Sequence, residues 1–130
     1  MERITDSIEL ILPFKAEYVS VARLVASGVA NRVGFDIESI EDIKVAVSEV
    51  CNKLVGTGSK SAGSYGVVFK VSANNLEIIF QCEDPSMKCI FSDEGDELGI
   101  SIINALMDTV ELCPDDGHVL TMSKAVEGNF

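Results

Sequence analysis

The sequence predicts an α+β fold, a two-layer sandwich in which a mixed, mainly antiparallel sheet is covered on one face by three helices. Hydrophobic residues make up 47% of the 130 residues, enough for one domain, residues 1–130, with a real core. Strand-like and helix-like segments follow one another in the order β-α-α-β-β-α-β-β. Because adjacent strands form hairpins and the first two helices are grouped, we expect an open sheet with its helices on one side.

The N-terminal half predicts one strand and two long helices. Residues 7–12 are short and β-prone, which is typical of a strand. Residues 16–33 carry apolar side chains at helical spacing, and Gly34 is placed to end that helix. The same spacing recurs over residues 37–55, where Asp36 is a suitable N-cap.

The C-terminal half predicts four strands and one helix around an acidic segment. Asn74-Asn75 indicates a hairpin turn between two β-rich runs, and Pro114-Asp115-Asp116-Gly117 indicates a second turn. In order, the expected segments are a loop at 56–64, strands at 65–71 and 76–82, an irregular acidic stretch at 83–95, a helix at 98–107, and strands at 109–113 and 119–123.

The charge of the chain argues against nucleic-acid binding. The net charge is -11, from 21 acidic and 10 basic residues, and the basic residues are scattered singly. Such a surface repels a phosphate backbone, so we expect no direct nucleic-acid contact. The acidity has two readings, either simple solubility or a surface that favours a basic partner.

The hydropathy pattern argues against a membrane protein. No apolar run approaches the roughly 20 residues that cross a bilayer, and the N-terminal apolar stretch is too short for a signal peptide. The prediction is a cytoplasmic protein with no membrane partner.

The four cysteines do not form a metal-binding pattern. Cys51, Cys82, Cys89 and Cys113 contain no Cys-x-x-Cys pair, and His118 is the one histidine, so zinc-ligand spacing is absent. Cys51 and Cys82 lie in apolar stretches, and we expect buried reduced thiols there. In a chain of intracellular character we expect no disulfide framework.

Three segments together carry a family resemblance. They are Leu12-Pro13 with residues 17–24, residues 41–51, and residues 98–112. Their order and spacing resemble the anti-sigma-factor serine kinases of the GHKL superfamily, which share the histidine-kinase-like ATPase (Bergerat-type) fold. The resemblance implies ATP and magnesium as cofactors and a site built on the second helix.

The second helix supplies the first site residues that the resemblance implies. Glu49 matches the family's carboxylate, which acts as a base or positions the nucleophile in phosphoryl transfer. It has the alternative reading of an ordinary surface glutamate. The family places a magnesium-binding Asn four residues later, where this chain has Lys53. Asn52 is one residue early, and one residue turns a side chain by about 100°. Because an ammonium cannot ligate magnesium, the favoured reading of Glu49 and Lys53 is an ordinary i,i+4 pair.

The loops of the resembled site also depart from the family pattern. Glu83 matches the position of the acidic residue that recognises adenine in the family. Pro85 and Met87 replace the family's glycines, which allow tight turns. Gly99 matches the glycine that approaches the phosphates at a helix N-terminus. Nearby carboxylates would repel a triphosphate; they are Asp93, Glu94, Asp96 and Glu97. We expect a kinase-like fold in which Mg-ATP catalysis is weak or absent.

Three functions follow as hypotheses from the resemblance. The first is a regulator of a partner-switching system that binds a sigma factor, its small antagonist protein, or both. Arg23 on the first helix resembles a partner-binding arginine of that family, with a solvated arginine as the alternative, and a homodimer is implied by resemblance only. The second hypothesis is an active serine kinase with an atypical site. The third is a sensor of another ligand, although Met87, Cys89, Ile90 and Phe91 more simply pack over the core.

Overall fold

The computed structural model describes residues 4–87, 89–92, 95–114 and 117–126. Three helices cover one face of a five-stranded sheet with the strand order β1-β2-β3-β5-β4. The strands are β1 (Ile4–Pro13), β2 (Ser64–Ser72), β3 (Asn75–Gln81), β4 (Thr109–Leu112) and β5 (His118–Ala125). The helices are α1 (Val19–Val33), α2 (Ile37–Thr57) and α3 (Glu97–Leu106), with 3-10 turns at Ala16–Tyr18, Pro85–Met87 and Ile90–Ser92. The predicted element order and fold class are confirmed.

The junction between α1 and α2 forms as the sequence predicts. Gly34 adopts φ 110° and its N–H donates to the carbonyl of Ala30 at 3.2 Å, a conformation that glycine adopts without steric cost. The Asp36 carboxylate accepts a 2.8 Å bond from the Ser39 N–H, which lowers the pKa of Asp36 because the bond favours the ionised form. Among the described residues, no helix is both long and apolar enough to cross a membrane.

Every strand pairing in the sheet is antiparallel, so the described residues contain none of the parallel pairing expected of a mixed sheet. The reason is that the β4–β5 hairpin adds beside β3 in the antiparallel sense. The β2–β3 turn lies at Ala73–Asn74, one residue earlier than predicted, because Ser72 pairs with Asn75. Asn74 takes the positive φ of 65° that this turn needs,.

The core lies between the sheet and the helices. Alternate strand residues face the helices, as the period of a strand requires, and they include Val67, Phe69, Ile78 and Phe80, all with 0% exposure. From α2, the buried residues are Ile43, Ala46, Val47, Val50, Cys51 and Leu54. Within the described ranges, no helix covers the opposite face of the sheet.

The acidic segment between β3 and α3 packs on the core rather than standing away from it. Met87, Ile90 and Phe91 are 1%, 6% and 4% exposed and join the hydrophobic cluster, which confirms the packing interpretation of these residues. Cys89 differs, because it is exposed. The predicted carboxylates Asp93 and Glu94 lie outside the described residues.

Two cysteines match their prediction and two do not. Cys51 and Cys82 are free and buried, and burial raises the pKa of the Cys51 thiol to about 11. Cys89 and Cys113 form a disulfide, with a Cα–Cα distance of 5.4 Å across a sequence separation of 24. The expectation that the chain lacks disulfides is corrected, because the fold brings the acidic segment to the end of β4.

Candidate functional site

Glu49 and Gly99 meet where α2 packs against the first turn of α3. Glu49 is half-buried on α2, and a Cβ added to Gly99 would lie 3.6 Å from Glu49 Oε1. That distance is ordinary van der Waals contact, so the carboxylate lies directly beside the backbone of Gly99. The structure therefore brings together two residues that the sequence assigned to one site.

Lys53 lies one helical turn after Glu49 on α2, but the two do not form the expected i,i+4 pair. Instead, Lys53 Nζ lies 2.9 Å from Asp96 Oδ1, and the two side chains are 26% and 12% exposed. The reason for this correction is that Asp96 immediately precedes α3, whose first turn lies against this flank of α2. We call this pair the α2–α3 ion pair.

The second oxygen of Asp96 finds no partner in the described part of the chain. Asp96 Oδ2 is buried and accepts no hydrogen bond from the described residues. A buried carboxylate oxygen that accepts no hydrogen bond costs free energy. The ion pair with Lys53 holds the Asp96 side chain in this partly desolvated position. Asn52, beside Lys53 on the helix, is exposed.

Asp84, which sequence reasoning passed over, is the buried carboxylate after β3. It is 9% exposed and accepts hydrogen bonds from Ser59 Oγ at 2.6 Å, Ser86 Oγ at 2.8 Å and the Ser86 N–H at 3.0 Å. The bond from Ser59 and the bonds from Ser86 hold the pKa of Asp84 below its ordinary value, because they favour the ionised form. The Ser59 Oγ also accepts from the Ala62 N–H at 2.9 Å, which ties the α2–β2 loop to this carboxylate.

Glu83 differs from Asp84 in its surroundings. Its side chain is exposed and it lines a cavity of about 450 Å³ with Glu9, Gln81 and His118, on the face without helices. The strand period could have identified the difference, since Phe80, Cys82 and Asp84 share the parity that faces the helices. No described contact joins Glu83 to Glu49, whereas its neighbour Asp84 is buried against the α2–β2 loop.

Arg23 lies apart from these residues on the exposed side of α1. Within the described ranges, no hydrogen bond or ion pair engages it. Its neighbour Leu24 is 70% exposed. A free cation next to an exposed large apolar side chain can bind a partner surface.

The family profile of the histidine kinase-like ATPase domain matches residues 12–124. The serine-protein kinase RsbW of Halalkalibacterium halodurans is 36% identical over 137 positions, which cover 94% of this chain and 85% of that protein. The serine-protein kinases RsbW of Bacillus thuringiensis and of Bacillus cereus strain AH820 are each 35% identical over 143 positions, covering 98% of this chain and 89% of the relative. Since 143 positions exceed the 130 residues here, these Bacillus relatives carry residues that have no counterpart in this chain.

Proposed function

The chain belongs to the histidine kinase-like ATPase domain family and, within it, to the serine kinases of the RsbW type, and from that premise we propose that it is an anti-sigma-factor-like regulator whose ATP-dependent kinase activity is weak or lost. In this proposal, the single domain of residues 1–130 works in the cytoplasm. It binds a sigma factor, a small antagonist of anti-sigma factors, or both. The family resemblance predicted from the sequence is confirmed; the state of the ATP site is the proposal.

The α2–α3 ion pair is the observation that carries this proposal. Magnesium requires oxygen ligands in a near-octahedral shell, and the ammonium of Lys53 supplies none. Lys53 also neutralises Asp96, the carboxylate closest to it, at 2.9 Å. Placing a divalent cation here would bring it against a positive charge and would require the ion pair to open. The residues present therefore do not fit a magnesium ion.

The surroundings of Asp84 add independent support. A carboxylate that reads adenine must have an oxygen free to accept from the base. In this chain Asp84 already accepts from Ser59 and Ser86, and Met87 beside it is 1% exposed in the core. The family's relatives are also longer, which is consistent with a shortened segment between β3 and α3. Adenine binding would have to share Asp84 Oδ2 with Ser59 and reopen packed apolar surface.

The proposed partner surface is the part of α1 around Arg23. An unpaired guanidinium can form a bidentate contact with a partner carboxylate, and the exposed Leu24 beside it can be buried in the same interface. Binding of this kind does not need ATP hydrolysis, so it can persist when the kinase site is closed.

An active serine kinase with an atypical site is the alternative, and one contact favours it. Glu49 Oε1 lies beside Gly99 at the start of α3, which is where a base and a phosphate-binding helix N-terminus would meet. In that case, nucleotide binding would open the ion pair, and Glu49 would orient the hydroxyl of the substrate serine.

Calorimetric titration with ATP and with ADP, each with and without magnesium, distinguishes the two functions. The proposal predicts no magnesium-dependent binding tighter than about 0.1 mM, or roughly -5.5 kcal/mol. Tighter binding that requires magnesium would refute the closed site and favour the kinase alternative. Lys53→Asn, which restores an amide oxygen, and Lys44→Asn, which removes another paired lysine of α2, are the matched variants for the same titration.

A further inference from the structure

Cys89 and Cys113 are held close together by elements that are far apart in sequence. Cys89 lies between the core residues Met87 and Ile90. Cys113 follows β4, where its N–H donates to the Val119 carbonyl at 3.1 Å and closes the hairpin. Their Cα atoms are 5.4 Å apart, within the range that a disulfide spans without backbone movement. Each cysteine also lies beside fixed neighbours of its own, Met87 and Ile90 in the core for Cys89 and the β4–β5 hairpin for Cys113.

The four cysteines divide into two classes of reactivity. Cys89 is exposed and Cys113 is half-buried, whereas Cys51 and Cys82 are buried. Burial raises the pKa of Cys51 to about 11, so at neutral pH it stays a thiol, which is the unreactive form. An oxidant in solution therefore meets Cys89 first.

We propose that Cys89 and Cys113 form a reversible thiol-modification site for hydroperoxides, and that its oxidation fastens the segment 85–92 over α2. The Cys89 thiolate attacks one oxygen of hydrogen peroxide, hydroxide leaves, and a sulfenic acid forms. The Cys113 thiolate then attacks that sulfur, hydroxide leaves and takes a proton, and the disulfide forms. Two thiols lose two electrons and two protons to one peroxide, which becomes two waters. A dithiol reductant reverses the step through a mixed disulfide.

The position of the disulfide gives the modification a structural consequence. The turn Ile90–Ser92 packs against α2, and the chain continues from it to Asp96, the partner of Lys53. When the thiols are reduced, this segment is held by the burial of Met87, Ile90 and Phe91. When they are oxidised, the disulfide also anchors it to the β4–β5 hairpin. The redox state thus controls how readily the segment beside the α2–α3 ion pair can open.

The test treats the fully reduced chain with a small excess of hydrogen peroxide and follows the thiols by mass. Cleavage after lysine places both reactive thiols in one peptide, 89–124, whereas Cys51 and Cys82 fall in 45–53 and 71–88. The expected result is the loss of two hydrogens from 89–124, with the other two peptides still available for alkylation after unfolding. Intact thiols in 89–124, or oxidation of Cys51 or Cys82 first, would overturn the assignment.

The structural consequence is measured on the same protein in its two redox states. Oxidation should raise the unfolding midpoint by roughly 5–15 °C and slow amide hydrogen exchange in 85–92 by about tenfold or more. A dithiol reductant should reverse both changes. Cys89→Ser and Cys113→Ser should each abolish the changes in unfolding midpoint and in exchange, while Cys113→Ser should still gain one oxygen at Cys89. A disulfide that forms without slowing exchange in 85–92 would contradict the proposed control of this segment.

Discussion

The two flanks of α2 differ in kind. The flank that faces the sheet is apolar, with Ile43, Val47, Val50 and Leu54 all at 0% exposure. The flank that faces α3 carries Glu49 and Lys53. Lys53 pairs with Asp96, whose buried second oxygen has no partner among the described residues. The first flank specifies the fold, and in our proposal the second decides the chemistry. Since different residues carry the two tasks, the family fold can persist while the site changes.

The largest expected effect lies on the apolar flank and the strands below it. Phe69→Ala should lower the free energy of unfolding by about 3–5 kcal/mol, because Phe69 is 0% exposed and the cavity cannot be refilled. Val68→Ala is the matched control, since Val68 lies next to it on the face without helices. It should cost about 1 kcal/mol or less. Urea denaturation measures both, and equal losses would contradict the assignment of the core to the helix side.

A smaller effect is expected on the flank that faces α3. Lys53→Met should lower the free energy of unfolding by about 1–2 kcal/mol, less than for a fully buried pair, because both partners keep some solvent contact. The Lys53→Met substitution leaves the Asp96 carboxylate without its counter-charge. Lys44→Met breaks the Lys44–Glu41 pair on the same helix and should change stability by less than ~0.5 kcal/mol. If the two variants were equally stable, the α2–α3 ion pair would not be a structural contact.

The carboxylate of Asp84 predicts a pH dependence with a definite sign. Its folded pKa lies below the ordinary value, so its stabilisation is present above the unfolded pKa and is lost as the pH falls through the folded pKa. Asp84→Asn should therefore be less stable than wild type at neutral pH, with a difference that shrinks below about pH 4. Thermal unfolding across pH 3–7 tests this, with Glu83→Gln as the control. A stability difference between wild type and Asp84→Asn that grows as the pH falls would contradict this prediction.

The smallest effect on stability is expected at the proposed partner surface. Arg23→Ala should leave the free energy of unfolding within ~0.5 kcal/mol, because no described residue pairs with Arg23. It should weaken binding to a sigma factor of the source organism by about tenfold or more. Arg32→Ala, on the same helix, is the control for a change of charge. Biolayer interferometry measures the affinity of both variants for the sigma factor. Equal affinities would contradict the proposed partner surface.

Much of the fold could be predicted from the sequence because its signals are local. Helical spacing identified α2, and Asp36 and Gly34 mark helix ends through contacts within a few residues. β1, β2 and β5 extend further than predicted, whereas β3 is shifted by one residue and β4 is one residue shorter, because pairing with neighbours decides where a strand stops. Ser64, for example, pairs with Pro13.

The site was less predictable because its contacts are long-range. Lys53 finds Asp96, and Cys89 finds Cys113, only after α3 and the β4–β5 hairpin have docked. Local spacing instead favoured a pair between Lys53 and Glu49. The choice of Glu83 over Asp84 could have been avoided locally, since continuing the alternation of β3 beyond its end makes Asp84 the buried member of the two.

The central claim is that the α2–α3 ion pair occupies the place where the family binds magnesium and nucleotide. Nuclear magnetic resonance with manganese and ATP tests it site by site, because a bound paramagnetic ion broadens the amide signals near it. We predict that millimolar Mn²⁺-ATP leaves the signals of Glu49, Lys53 and residues 96–99 no broader than those of α1. Selective broadening of those signals, removed by excess magnesium, would contradict the claim and show that the site still binds metal-nucleotide.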